Sequence, residues 1–204
     1  MPDFAYHGDL IGGSLMVRES RVIADLLLAG TDDVAWSKAI FDTNILQKRS
    51  PATAKRTATA IRKRLLTLQP EFLKRLRDGD EELARQVTFC AVLARNLLLV
   101  EFVERVVSDA YITHAEQLSL YNWAEFLEES GHRDPTINSW SESSRAKMGQ
   151  VAFRILREMG YLDSAKHRRL QRVAIRPEIK TMLEDRHLQR IKDCLEVSLK
   201  GSAQ

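Results

Sequence analysis

The stretch from Val87 to Val107 constrains this chain more than any other: fifteen of its twenty-one residues are apolar, yet Arg95, Glu101, Glu104 and Arg105 interrupt them. Near the middle of a bilayer each such charge costs roughly 3 kcal/mol, while each large apolar residue returns only about 0.5 kcal/mol. The charges outweigh the apolar residues, so the run predicts the central buried helix of a globular bundle and no membrane span. With 204 residues, 44% of them hydrophobic, the chain can fill one large core or two small ones. Its 29% charged residues, set against nine Gly and five Pro, exclude collagen-like and low-complexity classes and favour helices. Cys90 and Cys194 are too few for a disulfide framework or a four-thiolate zinc site. The start Met1-Pro2-Asp3-Phe4 has neither a basic nor an apolar leader region, which predicts a cytoplasmic protein.

Net charge is only +3, but its distribution is uneven. Residues 1–47 sum to −4, 48–77 to +9, 78–142 to −9, 143–176 to +7 and the remainder to zero. Two basic blocks set in acidic scaffold are the footprint of a chain that touches a polyanion at two places. Two solvated helix faces would give the same totals, so local structure has to decide.

Ala29-Gly30 ends a first helix that carries Leu15, Val17, Val22, Ile23 and Leu26 to Leu28, and Thr31-Asp32-Asp33 supplies the next cap. A second helix begins at Val34 and runs towards Ile45-Leu46. Ser50-Pro51 then starts a third, expected to reach Leu68, because Ser accepts a bond from a free backbone N–H and Pro suits the first helical position. Along it Ala54, Ala58, Ile61 and Leu65 form a buried stripe, and Lys55, Arg56, Thr59, Arg62 and Lys63 occupy the other side. From Lys48 to Arg64 there are seven basic residues and no acidic one. Helix, turn and basic helix over 34–66 is the layout of a helix-turn-helix, whose second helix enters the major groove. Pro70 opens a short helix to Arg77. Leu118–Glu129 predicts an amphipathic helix, followed by a loop at Gly131-His132-Arg133-Asp134-Pro135.

In the second block, Ser141 or Ser143 caps a helix that buries Met148, Val151, Ala152, Ile155, Leu156 and Met159 and stops at Gly160. Its outward stripe is Lys147, Gln150, Arg154 and Arg157. Lys166-His167-Arg168-Arg169 then leads into Leu170-Gln171-Arg172-Val173-Ala174-Ile175, which alternates as a strand does. A helix passing into a basic-tipped β-hairpin is the pattern of a winged helix. Its plain rival is a small α+β cap with solvated arginines. Pro177 opens two closing helices, roughly 177–184 and 187–199.

Catalytic signals are sparse. His7, His114, His132, His167 and His187 are scattered, so no metal site is expected. The run Gly8-Asp9-Leu10-Ile11-Gly12-Gly13-Ser14 lacks the Gly-Lys-Ser/Thr of a phosphate-binding loop and is read as shaping the entry to helix one. Asp163 with Glu178-Ile179-Lys180 has the form used by metal-dependent nucleases, although Glu178 and Lys180 follow a helix-starting proline.

Long strings carry a family resemblance. Gly12-Gly13-Ser-Leu-Met-Val-Arg-Glu-Ser-Arg-Val-Ile-Ala-Asp-Leu, Trp36 through Leu46-Gln47-Lys48-Arg49-Ser50-Pro51-Ala52-Thr53-Ala54-Lys55-Arg56, Arg133-Asp134-Pro135, Trp140-Ser141-Glu142-Ser143 and Phe153-Arg154-Ile155-Leu156 through Gly160-Tyr161-Leu162 resemble BrxA of the BREX phage-exclusion systems. The resemblance implies a small, helical, non-catalytic DNA-binding component of bacterial phage defence. It further implies an N-terminal part similar to the NusB antitermination factor, a cytoplasmic location and other BREX proteins as partners.

The expected fold is therefore mostly α: a helical N-terminal bundle, 1–113, with a NusB-like helix-turn-helix, and a winged-helix-like C-terminal module, 114–204, with a small β-hairpin. Expected duplex-DNA contacts are Lys48, Arg49, Ser50, Thr53, Lys55, Arg56, Arg62 and Lys63, then Ser143, Arg145, Lys147, Gln150, Arg154, Lys166, Arg168, Arg169 and Arg172. No cofactor and no small-molecule substrate are expected. The alternatives are an assembly module docking acidic partners and, less favoured, a metal-dependent nuclease.

Overall fold

A computed structural model describes Tyr6, Leu10 and residues 13–202. His7 and most of the Gly8–Gly12 run lie outside the described residues. The architecture is mostly α, and the described residues form two compact units: 15–95, and 96–202 together with the described residues up to 14.

In the first unit α1 (Val17–Leu28) ends at Ala29, with Gly30 in the left-handed region at φ 64°. Asp32 caps α2 (Asp33–Ser37) by accepting from the Ala35 N–H at 2.8 Å, and the chain continues as a π-helical turn, Lys38–Asp42. Ser50 caps α3 (Pro51–Leu65), accepting from the Thr53 N–H at 3.2 Å. Then come α4 (Pro70–Asp78) and α5 (Glu81–Arg95). Arg21 ties α1 to the α4–α5 junction by donating to the Arg77 and Gly79 carbonyls at the end of α4 and to the Asp80 carbonyl, which also accepts from the Ala84 N–H at 3.0 Å. The predicted stripe Ala54, Ala58, Ile61 and Leu65 is buried. Arg64, counted with the basic run, is buried too.

The long central helix does not form as one piece. It breaks at Asn96, whose side chain accepts from the Leu99 N–H at 2.9 Å and caps α6 (Leu97–Phe102). A π-helical turn, Val103–Val107, and α7 (Ser108–Ile112) follow. Among the described residues, no single helix is long and apolar enough to cross a membrane.

In the second unit α8 (Leu120–Arg133) runs through Gly131-His132-Arg133, where a loop was expected. A 3₁₀ turn, Pro135–Ser139, leads to α9 (Glu142–Met159), capped by Ser141 and closed by Gly160 at φ 91°. The unit ends with α10 (Pro177–Asp185), α11 (Gln189–Leu195) and a 3₁₀ turn, Glu196–Ser202. Residues 97–112, which fall in the first expected domain, pack here: α7 lies along the closing 3₁₀ turn. The core is an aromatic cluster in which Phe102 meets Trp123, Phe126 and Phe153 at centroid distances of 5.0, 5.4 and 6.0 Å.

The expected β-hairpin is not present. Residues 161–175 contain only isolated antiparallel bridges, Leu162 to Leu170 and Gln117 to Arg169. The backbone groups that would extend a ladder are taken by side chains: the Gln171 carbonyl accepts from the Tyr111 hydroxyl at 2.6 Å, and the Val173 N–H donates to Ser198 Oγ at 3.2 Å. Side chains competing for backbone partners in this way cut a strand short.

Gly149 sits in the middle of α9 beneath Trp123, whose indole donates to the Arg145 carbonyl at 3.1 Å. A Cβ at 149 would meet Trp123 Cδ1 at 2.7 Å. Overpacking by Gly149→Ala is expected to cost about 1–3 kcal/mol, of which the ~1 kcal/mol that Ala gains over Gly in an open helix returns part, so the unfolding free energy falls by up to about 2 kcal/mol. Urea denaturation of the two proteins measures it.

Candidate nucleic-acid interface

Burial of one edge of α3 turns Lys55, Arg56, Thr59 and Lys63 to solvent. None of these three cations, nor Arg49 at the preceding turn, has a carboxylate partner among the described residues. Three expected contacts are engaged within the fold. Lys48 Nζ lies 2.5 Å from Glu19 Oε1, with both side chains about four-fifths buried. Ser50 Oγ, besides capping the helix, donates to Thr53 Oγ1 at 3.0 Å. Arg62 lies over the Trp36 ring, 4.6 Å from its centroid, with Asp33 at 3.9 Å.

The second basic group belongs to the 96–202 unit. Lys147, Gln150, Arg154 and Arg157 form the exposed stripe of α9 that the spacing predicts. Beyond Gly160 the chain turns through Ala165–His167 and carries Lys166, Arg168, Arg169 and Arg172. The Asp163 carboxylate accepts from the Arg169 N–H and from Ser164 Oγ, both at 3.0 Å, and so closes the base of this loop. These bonds hold Asp163 below the ordinary carboxylate range against the desolvation that raises it. Arg168 adopts φ 55°, an uncommon conformation for a side-chain-bearing residue, and its guanidinium lies 5.9 Å from the Phe153 ring centroid. Arg169 is 3.3 Å from Glu116 at an exposed position. Arg145 turns inward, donating to the Ile137 carbonyl at 2.9 Å. Ser143 is exposed beside the true cap, Ser141, with the two hydroxyls 3.1 Å apart.

Of the thirteen lysines and arginines expected to meet a polyanion, ten have no carboxylate partner among the described residues, Lys48, Arg62 and Arg169 being the exceptions. Arg157 lies on the same stripe but outside the expected contact set, and like Arg154 it is exposed with no carboxylate partner among the described residues.

The nuclease-like residues do not converge. Asp163 serves the loop base, Glu178 pairs with Arg176 at 2.8 Å, and Lys180 pairs with Glu196 at 2.6 Å. No group of three or more His, Cys, Asp or Glu fit to hold a metal ion occurs among the described residues. Cys90 and Cys194 are buried, and burial pushes both thiols up to about 12, far from nucleophilic thiolates.

Comparison with known proteins adds the decisive observation. Residues 5–187 match the profile of the BrxA family. The chain belongs to the BrxA family. A BREX protein BrxA from Paramagnetospirillum magneticum is 38% identical over 98% of this chain and all of the relative. One from Escherichia coli O9:H4 (strain HS) is 41% identical over 89% of this chain and 85% of the relative. A crystal structure of an uncharacterized protein from Magnetospirillum magneticum, 36% identical, covers 95% of this chain and 99% of its own, with a TM-score of 0.88. As a BrxA-family member, the chain is a component of a BREX phage-defence system.

The Lys48–Glu19 pair has a pH signature. Burial works to raise the Glu19 pKa, but the bond and charge of Lys48, a backbone bond and the charge of Arg18 together outweigh it and hold the carboxyl below its ordinary value. A depressed carboxylate stabilises the fold above the ordinary glutamate range, and this contribution is lost as pH falls through the lowered pKa. The stability difference between wild type and Glu19→Gln is thus expected to be full at neutral pH and to shrink towards zero in strong acid. Denaturant titrations across that range check the sign.

Proposed function

We propose that this chain is a non-catalytic, duplex-DNA-binding component of its BREX system, acting in the bacterial cytoplasm and holding DNA mainly through phosphate contacts. The observation that carries this reading is the set of ten expected contacts that are cations with no carboxylate partner among the described residues, grouped on α3 with its preceding turn and on α9 with its following loop. Cations crowded without acidic neighbours repel one another, and an anionic polymer relieves that repulsion while releasing its own counterions. In this reading the 15–95 unit acts as a NusB-like carrier of a helix-turn-helix. The 96–202 unit acts as a winged-helix-like module whose basic loop works without a strand pair. Ser143 and Gln150 add neutral contacts. Phosphate contacts fix position without reading bases, so weak sequence preference is expected.

A second reading, an assembly module, draws support from a different feature. An apolar groove of about 270 Å³ runs between α8 and α9, lined by Leu120, Trp123, Ala124 and Leu127 with Glu128 and Arg145 at its edge. Other BREX components are the natural partners for such a surface.

Mobility-shift titrations over a salt series, on matched single-stranded and double-stranded oligonucleotides, separate the readings. If six cations meet phosphates, the logarithm of the binding constant falls with the logarithm of salt at a slope of about −5. A flat response, or no retardation at micromolar protein in low salt, overturns the DNA reading and favours assembly. Lys55→Ala is expected to reduce the slope by about 1, whereas Lys48→Ala leaves it unchanged because that ammonium already serves Glu19.

A further inference from the structure

The exposed stripe of α9 and the loop that follows it enclose a cavity of about 260 Å³. Leu120 and Phe153 line its apolar side, and three arginines, Arg154, Arg157 and Arg168, line the remainder with Gln150, Ser164 and Ala165. No carboxylate is among the lining residues, and none of the three arginines has a carboxylate partner among the described residues. The nearest acid in sequence to the loop wall, Asp163, is occupied by the Arg169 N–H and Ser164 Oγ.

Arg168 is the most constrained of the three. One of its terminal nitrogens donates to the Ala165 carbonyl at 3.3 Å, and its Nε is shielded from solvent with no acceptor. A buried donor without a partner is costly, and an oxyanion in the cavity would be an acceptor within reach of the same guanidinium. Three forked, permanently charged donors around one concavity match a tetrahedral phosphate, since each guanidinium can offer two parallel N–H groups to two oxygens. The apolar side excludes water and strengthens such bonds relative to those on an open helix face.

We propose that this cavity seats a single phosphate group and that Arg157 is a ligand of it alongside Arg154 and Arg168. The inference rests on the DNA reading and deepens it: the seat is a concave phosphate contact on the 96–202 unit, set apart from the open face of α9. Its phosphate comes either from the backbone, as a diester, or from a 5′ terminus, as a monoester.

Two measurements on the full chain test the seat. First, thermal unfolding is compared in inorganic phosphate and in chloride at matched ionic strength and pH. Wild type is expected to gain a phosphate-specific upward shift that Arg157→Ala and Arg168→Gln lose and Lys55→Ala retains. Second, salt-dependent binding is measured on one duplex prepared with 5′-hydroxyl or 5′-phosphate ends. Arg157→Ala is expected to reduce the salt slope by about 1. An equal reduction on both duplexes assigns the seat to a backbone diester, and a reduction confined to the phosphorylated duplex assigns it to a terminal monoester. Because Arg157 is exposed, an unchanged circular dichroism spectrum shows that the variant is folded. A phosphate shift undiminished in Arg157→Ala, or absent from wild type, overturns the proposal even if DNA binds. Wild type that binds no duplex overturns the DNA reading, while the phosphate shift and its loss still decide the seat.

Discussion

Burial of the Ala54–Leu65 edge of α3 and of the Met148–Met159 edge of α9 turns Lys55, Arg56 and Lys63 on the first helix and Lys147, Arg154 and Arg157 on the second towards solvent, while Arg64 and Arg145 are drawn into the fold. A helix that places alternate turns of one face in a core presents the opposite face as a continuous strip. The apolar spacing therefore organises the charge, since without it the same lysines and arginines would be scattered around each cylinder. The aromatic cluster of Phe102, Trp123, Phe126 and Phe153 fixes the roll of α9 in particular, because Gly149 lets the indole sit directly on its backbone.

The features legible in the sequence are those decided within a few residues. Ser50-Pro51, Asp32, Ser141 and Gly160 mark helix ends through hydrogen bonds and backbone angles that need no distant partner, and the structure places ends at all four. The break at Asn96 is not legible because the apolar run resumes at Leu97 directly after Arg95 and Asn96, and one capping amide decides where one helix stops and the next begins. The run through Gly131 to Arg133 looked like a loop for the opposite reason: a glycine and a following proline are turn signals, but the helix persists to the residue before Asp134.

The failed hairpin and the engaged lysine share a cause of longer range. Leu170 to Ile175 has the alternation of a strand, but Tyr111 and Ser198, 60 and 25 residues away from the groups they bond, take the places a ladder would use. Lys48 counts as one more free charge in any linear tally, yet Glu19, 29 residues earlier, neutralises it. The candidate interface was thus visible in outline from composition and period. Its membership could be refined only by knowing which acids the fold brings near. Arg157 illustrates the converse, a residue undervalued in sequence because nothing nearby revealed the concavity it lines.

The loop after α9 is moored at its root by phenol hydroxyls: Tyr111 holds the Gln171 carbonyl, and the fully buried Tyr161 holds the Leu195 carbonyl at 2.6 Å. A finger anchored at its knuckle in this way can be lengthened, shortened or re-lettered between Ser164 and Arg168 without unzipping a sheet. Relatives sharing the two phenols could alter how far this finger reaches while leaving the palm beneath it unchanged.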